Sequence, residues 1–178
     1  MRESHYFEAL RQKFRLSTLS VKVVSGKGAP ISVVNCGIEE KRKTEESTDE
    51  IWCVIDTEDP HKNSSLFPAI EKAKRAKICL AVSNPSFEYW YLLHFECSSR
   101  PFTNGQEMKR SLKAHIPAYE ENLDVFPMLD DLTSTALLNA EKLRKRSSEN
   151  WNTFPNPSTH VDKLVQEIIN MGKPKRYQ

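Results

Sequence analysis

Apolar and polar residues follow two different periods along the first part of the chain. Residues 3–14 repeat apolar side chains at helical spacing, whereas residues 19–26 alternate apolar and polar side chains as a strand does. Residues 31–43 return to a helical pattern, and Pro30 suits the first turn of that helix. Helices and strands that alternate in this way favour an α/β fold.

The same alternation continues through the middle of the chain. Residues 50–56 are predicted to form a strand, and residues 63–77 a helix capped by Asn63 or Ser64. Residues 77–83 are almost entirely apolar, which is typical of a strand covered on both faces in a parallel sheet. Two buried, parallel strands joined by a helix are therefore expected.

The second half of the chain is predicted to be helical. Helical periodicity extends over residues 106–116, 127–146 and 158–172, with prolines between the segments. No further strand is expected there. We therefore predict one domain, with an α/β core in residues 1–100 and a helical part in residues 101–178.

Composition narrows the possible classes of protein only slightly. The 178 residues are 38% hydrophobic and 28% charged, as in ordinary globular domains. A net charge of +2 argues neither for nor against nucleic acid. No apolar run reaches the roughly 20 residues of a membrane helix, and the N-terminus does not resemble a signal peptide. We expect a cytoplasmic protein without disulfides, since the four cysteines are widely spaced.

Acidic residues follow the predicted strand at residues 50–56. Asp56 and Glu58 lie just past its carboxyl end, where open α/β sheets bind ligands. Carboxylates at this spacing can hold Mg²⁺, whose remaining positions are filled by water and substrate phosphates. The alternative is a turn before Pro60, in which Asp59 accepts hydrogen bonds from the local backbone.

A second candidate segment, "SNPSFEYWYLLHFE", begins at the end of the next strand. Ser83 or Asn84 is predicted to cap a helix, with Pro85 in its first turn and Glu88 about one turn in. Glu88 would then lie near the strand end that carries Asp56. Alternatively, Glu88 only completes a capping box. The apolar face around His94 predicts a core histidine.

Four segments of this chain resemble the RloB family. They are "RESHYFEAL", "VIDTEDPH", "SNPSFEYWYLLHFE" and "NPSTHVDKLVQEI", and they occur in the family's order over nearly the whole chain. The resemblance implies a single RloB-like domain, with a Toprim-like parallel sheet followed by helices. It also implies a prokaryotic anti-phage defence protein that cleaves phosphodiester bonds with Mg²⁺ or Mn²⁺. Such proteins often work with a partner ATPase, which would be of the AAA or ABC type.

The resemblance also assigns catalytic and metal-binding residues. Asp56 and Glu58 match the Asp-x-Asp pair of the Toprim pattern, with Glu58 replacing the second aspartate, and Glu88 is a candidate further acid. Glu3 matches the second glutamate of an N-terminal motif. In relatives a hydrophobic strand ending in Glu-Gly precedes that motif, and the present sequence begins after it. We expect either a start site assigned too late or a truncated copy.

Contacts with nucleic acid, either DNA or RNA, are expected from a few basic positions. Lys27 lies in a Gly-Lys-Gly turn, and His61 follows the acidic segment. The basic runs at residues 72–77 and 142–146 could follow a phosphate backbone or could be solvated helix faces. The competing function is a non-catalytic sensor or adaptor that acts through the partner ATPase.

Overall fold

The computed structural model describes residues 2–20, 29–43, 50–57, 64–147 and 154–173. These residues form a mixed α/β structure in which helices surround a small sheet. The strands are β1 (Trp52–Asp56), β2 (Cys79–Asn84) and β3 (Ser158–Thr159). The helices are α1 (Arg2–Lys13), α2 (Pro30–Lys43), α3 (Leu66–Ala76), α4 (Glu88–Leu92), α5 (Gly105–Lys113), α6 (Phe126–Leu129), α7 (Thr133–Arg146) and α8 (Val161–Met171), with a 3-10 turn at Asp130–Leu132.

The sheet has the order β1-β2-β3. β1 and β2 are parallel, as predicted, and their register places Asp56 opposite Ser83. β3 pairs with β2 in the antiparallel direction, with Thr159 opposite Ser83. The prediction that the second half contains no strand was wrong, and the sheet of the described residues is mixed rather than parallel. β3 has only two residues, too few to show the period of a strand.

The sheet has a hydrophobic core on each face. Because successive side chains of a strand point to opposite faces, β1 sends Cys53 and Ile55 to one core and Trp52 and Val54 to the other. Helices α2 and α3 pack against the first core, and the remaining helices pack around the second. Five of the six residues of β2 are buried, as expected for a covered strand. The largest side chains of the second core include Tyr6, Phe87, Tyr89, Trp90, Tyr91 and Tyr119.

Most helix predictions are confirmed, with corrections at the ends. α1, α2, α3, α5, α7 and α8 all lie within or close to predicted helical segments. Residue 65, rather than Asn63 or Ser64, occupies the N-cap of α3, and its side chain makes no capping bond there. Most of the strand predicted at residues 19–26 lies outside the described residues. None of the helices in the described ranges is long and apolar enough to cross a membrane.

The glycine in the middle of α2 allows that helix to approach β1 closely. A Cβ atom on Gly37 would lie 2.7 Å from the Sγ atom of Cys53, which is 4% exposed. Burial also raises the pKa of the Cys53 thiol to about 11, so this side chain is a packing group rather than a reactive thiolate.

Gly37→Ala should therefore lower the free energy of unfolding, by about 1 to 2 kcal/mol, because the added methyl group overpacks the interface. The better helix propensity of alanine, worth about 1 kcal/mol, would favour the opposite result. Urea unfolding of Gly37→Ala, Cys53→Ala and the double variant measures the coupling between the two positions. Cys53→Ala should recover part of the loss, and strictly additive effects would contradict the close contact.

Candidate functional site at the carboxyl edge of the sheet

Asp56 is the last residue of β1 and is partly buried. Its position is fixed by the parallel pairing with Ser83. The backbone N–H of Thr57 donates to the carbonyl of Ser83 at 2.9 Å, so the two chains remain together one residue beyond β1. Asp56 thus lies at the carboxyl edge of the sheet, by which we mean the ends of β1 and β2 at Asp56 and Asn84.

The helix after β2 begins later than predicted. Ser83 and Asn84 belong to β2 rather than to a helix cap, and α4 starts at Glu88. The side chain of Asn84 is used elsewhere, because its Nδ2 atom donates to the carbonyl of Phe154 at 2.7 Å. Glu88 is therefore at the start of α4, five positions past the residue that pairs with Asp56.

Glu88 is enclosed by the aromatic core. Its side chain is fully buried, and the hydroxyl of Tyr119 donates to its Oε1 atom at 3.3 Å. Tyr119 is itself 1% exposed. A buried carboxylate is costly unless other groups hold it, and Tyr119 is one such group. Glu88 thus joins α4 to the segment after α5, in addition to any role at the edge.

The structure tests the remaining predicted residues only in part. Glu3 lies in the first turn of α1 and is partly buried. Glu58, His61 and Lys27 lie outside the described residues. Within the described part of the chain, no three His, Cys, Asp or Glu side chains gather into a group that could hold a metal ion. Of the predicted acidic residues that the structure describes, Asp56 is the one located at the carboxyl edge.

Thr57 and Asn84 add buried polar oxygens to this edge. They are 0% and 2% exposed, and each follows one member of the Asp56–Ser83 pair. Among the described residues, no group forms a hydrogen bond with the Oγ1 atom of Thr57 or the Oδ1 atom of Asn84. Such oxygens are rare in folded proteins and often mark functional positions. Because successive side chains of a strand point to opposite faces, Thr57 and Asn84 lie on the face of Cys53 and Ile55, whereas Asp56 lies on the face of Trp52 and Val54. Asp56 is thus the described residue of this edge whose carboxylate oxygens suit a hydrated Mg²⁺ ion.

Sequence reasoning proposed Asn84 only as a helix cap and gave Thr57 no role. Both are polar residues at the end of an apolar strand run, and that contrast is the available sequence signal. It is weak, since Thr and Asn at strand ends more often belong to turns.

Thr57→Val should raise the stability of the protein, because it removes a buried hydroxyl that lacks a described partner at little change in shape. The expected gain is about 1 kcal/mol in the free energy of unfolding. Thr159→Val is the matched control, because the Thr159 hydroxyl shares a 2.8 Å hydrogen bond with Ser83 and accepts from the N–H of Val161. Thermal unfolding should show opposite shifts, and a destabilised Thr57→Val variant would show that the hydroxyl is held within the protein.

The fold and the edge together define a class of protein. The protein has a mixed α/β fold, in which a parallel strand pair carries an aspartate at its carboxyl edge and a strand from the C-terminal part completes the sheet. Open α/β sheets bind ligands at such strand ends. The family model described as RloB-like protein matches residues 2–168. The chain belongs to the RloB-like protein family, as the four sequence segments indicated. No curated protein and no solved structure shows a significant match.

Proposed function

We propose that this chain is a Toprim-like nuclease of a prokaryotic anti-phage defence system, acting in the cytoplasm with Mg²⁺ or Mn²⁺. The observation that carries the proposal is the position of Asp56 at the carboxyl edge, opposite the strand end that leads to Glu88. Family membership supports it, since the same segments carry the family resemblance. The substrate is a DNA or RNA strand.

The chemistry would depend on oxygen ligands at the edge. Asp56 and Glu58 would hold the metal ion, and Glu88 is proposed as a further acid that orients an ion or its water. When bound, Mg²⁺ polarises a phosphate oxygen and stabilises the leaving alkoxide. Glu3 is proposed to support the metal ligands, and His61 and Lys27 to contact substrate phosphates.

The direct test is cleavage of plasmid DNA and of tRNA by the purified protein with Mg²⁺, Mn²⁺ or EDTA. The 178-residue chain should be compared with a version extended by any in-frame residues that are encoded upstream. Metal-dependent cleavage by either form, abolished by EDTA, is the expected result. No cleavage by either form, with and without the candidate partner ATPase, would contradict the nuclease proposal.

One observation favours a second function, that of a non-catalytic sensor or adaptor. Glu88 is fully buried and bonded to Tyr119, which is the environment of a structural carboxylate. In this case the chain would recognise nucleic acid and act through an AAA- or ABC-type partner ATPase. A nucleic-acid-dependent change in ATP hydrolysis by the partner, without any strand cleavage, would identify this function.

A further inference from the structure

A cavity of about 210 Å³ lies where the end of α7 meets α4 and the segment that leads into β3. We call it the arginine pocket. Two arginines of α7 line it, and polar side chains from several other segments complete its polar surface. The polar lining includes Arg144, Arg146, Ser99, Ser147, Ser158 and Thr159, together with Tyr89 and Asn156.

One of the two arginines is fixed in place. Arg144 donates to the Oδ1 atom of Asp162 at 2.6 Å, and Asp162 has a side chain that is only 9% exposed. The Arg144 side chain is 26% exposed and lines the cavity, and the ion pair orients its guanidinium group. Arg146 is exposed at the same end of α7. Two guanidinium groups at one cavity, one of them held by an ion pair, suit an anion with several oxygens.

The walls of the arginine pocket are also fixed. The side chain of Asn156 donates to the carbonyl of Phe102 at 2.6 Å and accepts from its N–H at 3.0 Å. The hydroxyl of Tyr89 donates to the carbonyl of Ser98 at 2.8 Å. These bonds tie the segment before β3 and the segment after α4 to their surroundings. The pocket is therefore preorganised, which lowers the entropy cost of binding.

The charge around the pocket is positive. Basic residues near a helix C-terminus are stabilised by the helix dipole, and this explains why α7 ends in them. The dipole does not explain why two of them line a cavity together with hydroxyl groups of other segments. The basic residues in the last turns of α7 are Lys142, Arg144, Lys145 and Arg146. The acidic residues in or facing these turns are Glu141 and Asp162.

The arginine pocket connects directly to the carboxyl edge. Thr159, which lines the pocket, shares a hydrogen bond with Ser83, and Ser83 pairs with Asp56. Three successive strands thus carry Thr159, Ser83 and Asp56 at one level of the sheet. Neighbouring strands lie about 4.8 Å apart, so the backbones of Thr159 and Asp56 are about 10 Å apart across the sheet.

We propose that the arginine pocket binds a backbone phosphate of the nucleic-acid strand whose scissile bond lies at Asp56. The charges of one strand of a duplex are spaced by about 3.4 Å along the helix axis, so a separation of about 10 Å lies within the reach of a few nucleotides. The identity of the ligand rests on the proposed function, but the binding itself does not require cleavage. Of the basic segments found in the sequence, this one adjoins the edge, because it ends beside β3.

The test measures binding of a fluorescently labelled single-stranded oligonucleotide, and of the matching duplex, in EDTA so that no cleavage occurs. Arg146→Gln should weaken binding several-fold and reduce the salt slope by about 0.7 for a single strand. Arg110→Gln is the matched control, because Arg110 is an exposed arginine in the last turn of α5 and does not line the pocket. Arg144 is less suitable for substitution, since its loss would leave Asp162 buried without this ion pair.

The outcomes separate this inference from the proposed function. If Arg146→Gln and Arg110→Gln bind equally well, or if the wild-type chain binds neither oligonucleotide, the arginine pocket is not a phosphate site, whatever the cleavage assay shows. If only Arg146→Gln loses affinity and its salt slope falls, the pocket is a phosphate site. Absence of metal-dependent cleavage in that case would reject the nuclease function and leave the binding site in place.

Discussion

Asp56→Asn should abolish metal-dependent cleavage while leaving the melting temperature nearly unchanged. The substitution keeps the shape of the side chain but removes the charge that would attract Mg²⁺. Asp56 is partly buried at the end of β1, and asparagine has nearly the same volume, so the packing around this position should be kept. The variant should also lose any increase in melting temperature that Mg²⁺ gives the wild-type protein, since a ligand of the folded state stabilises it.

The control for Asp56→Asn is Asp131→Asn, which removes the same charge from an exposed residue in the 3-10 turn after α6. Asp131→Asn should cleave nucleic acid and respond to Mg²⁺ as the wild-type protein does. Wild-type cleavage by Asp56→Asn would overturn the assignment of the site. Equal losses in both variants would indicate a general effect of charge rather than a metal ligand.

Acidification should destabilise the protein through His94 by about 3 kcal/mol between about pH 6.5 and pH 4. Burial lowers the pKa of His94 from 6.5 to about 4, because the 1% exposed ring cannot be charged without losing its hydration. Its Nδ1 atom lies 2.9 Å from the carbonyl oxygen of Trp90 and donates to it. The folded state therefore binds fewer protons than the unfolded chain in this range. Stability is complete above about pH 6.5 and falls as the pH approaches 4.

The measurement is urea unfolding of the wild-type protein and of His94→Gln at a series of pH values. His94→Gln should be less stable at neutral pH but should lose less of its stability on acidification. His5→Gln provides the control, because His5 is exposed on α1. Carboxylates also titrate in this range, so the quantity of interest is the difference in slope between variants. Identical slopes for wild type and His94→Gln would show that another group causes the acid sensitivity.

The parts of the fold that could be predicted are those whose apolar residues recur with a clear helical or strand pattern in the sequence. β1, α3 and β2 were recognisable because an apolar run, a helical pattern and a second apolar run follow one another directly. His94 was expected in the core for the same reason and is buried there. β3 was not recognisable, because two residues carry no period and its pairing depends on a partner far along the chain.

The candidate site was predictable in its position but not in its contacts. Asp56 could be placed at a strand end from the pattern alone, and the structure confirms that position. The start of α4 was predicted too early, because the sequence does not show that Asn84 pairs with Ser158 and bonds to Phe154. The enclosure of Glu88 beside Tyr119 and the hydrogen bond between Ser83 and Thr159 are also long-range contacts. Local propensity contains no information about such pairs.

The position of β3 has a consequence for the order in which the chain folds. β1, α3 and β2 are consecutive and can pair once they have left the ribosome, which synthesises proteins from the N-terminus. In the described part of the chain, the second edge of β2 pairs with β3, whose Thr159 lies 76 positions after Ser83. Until that segment arrives, the nascent protein has an open strand edge, which can pair with other chains. Closure of the sheet is therefore a late event in synthesis, and it coincides with completion of the arginine pocket beside the carboxyl edge.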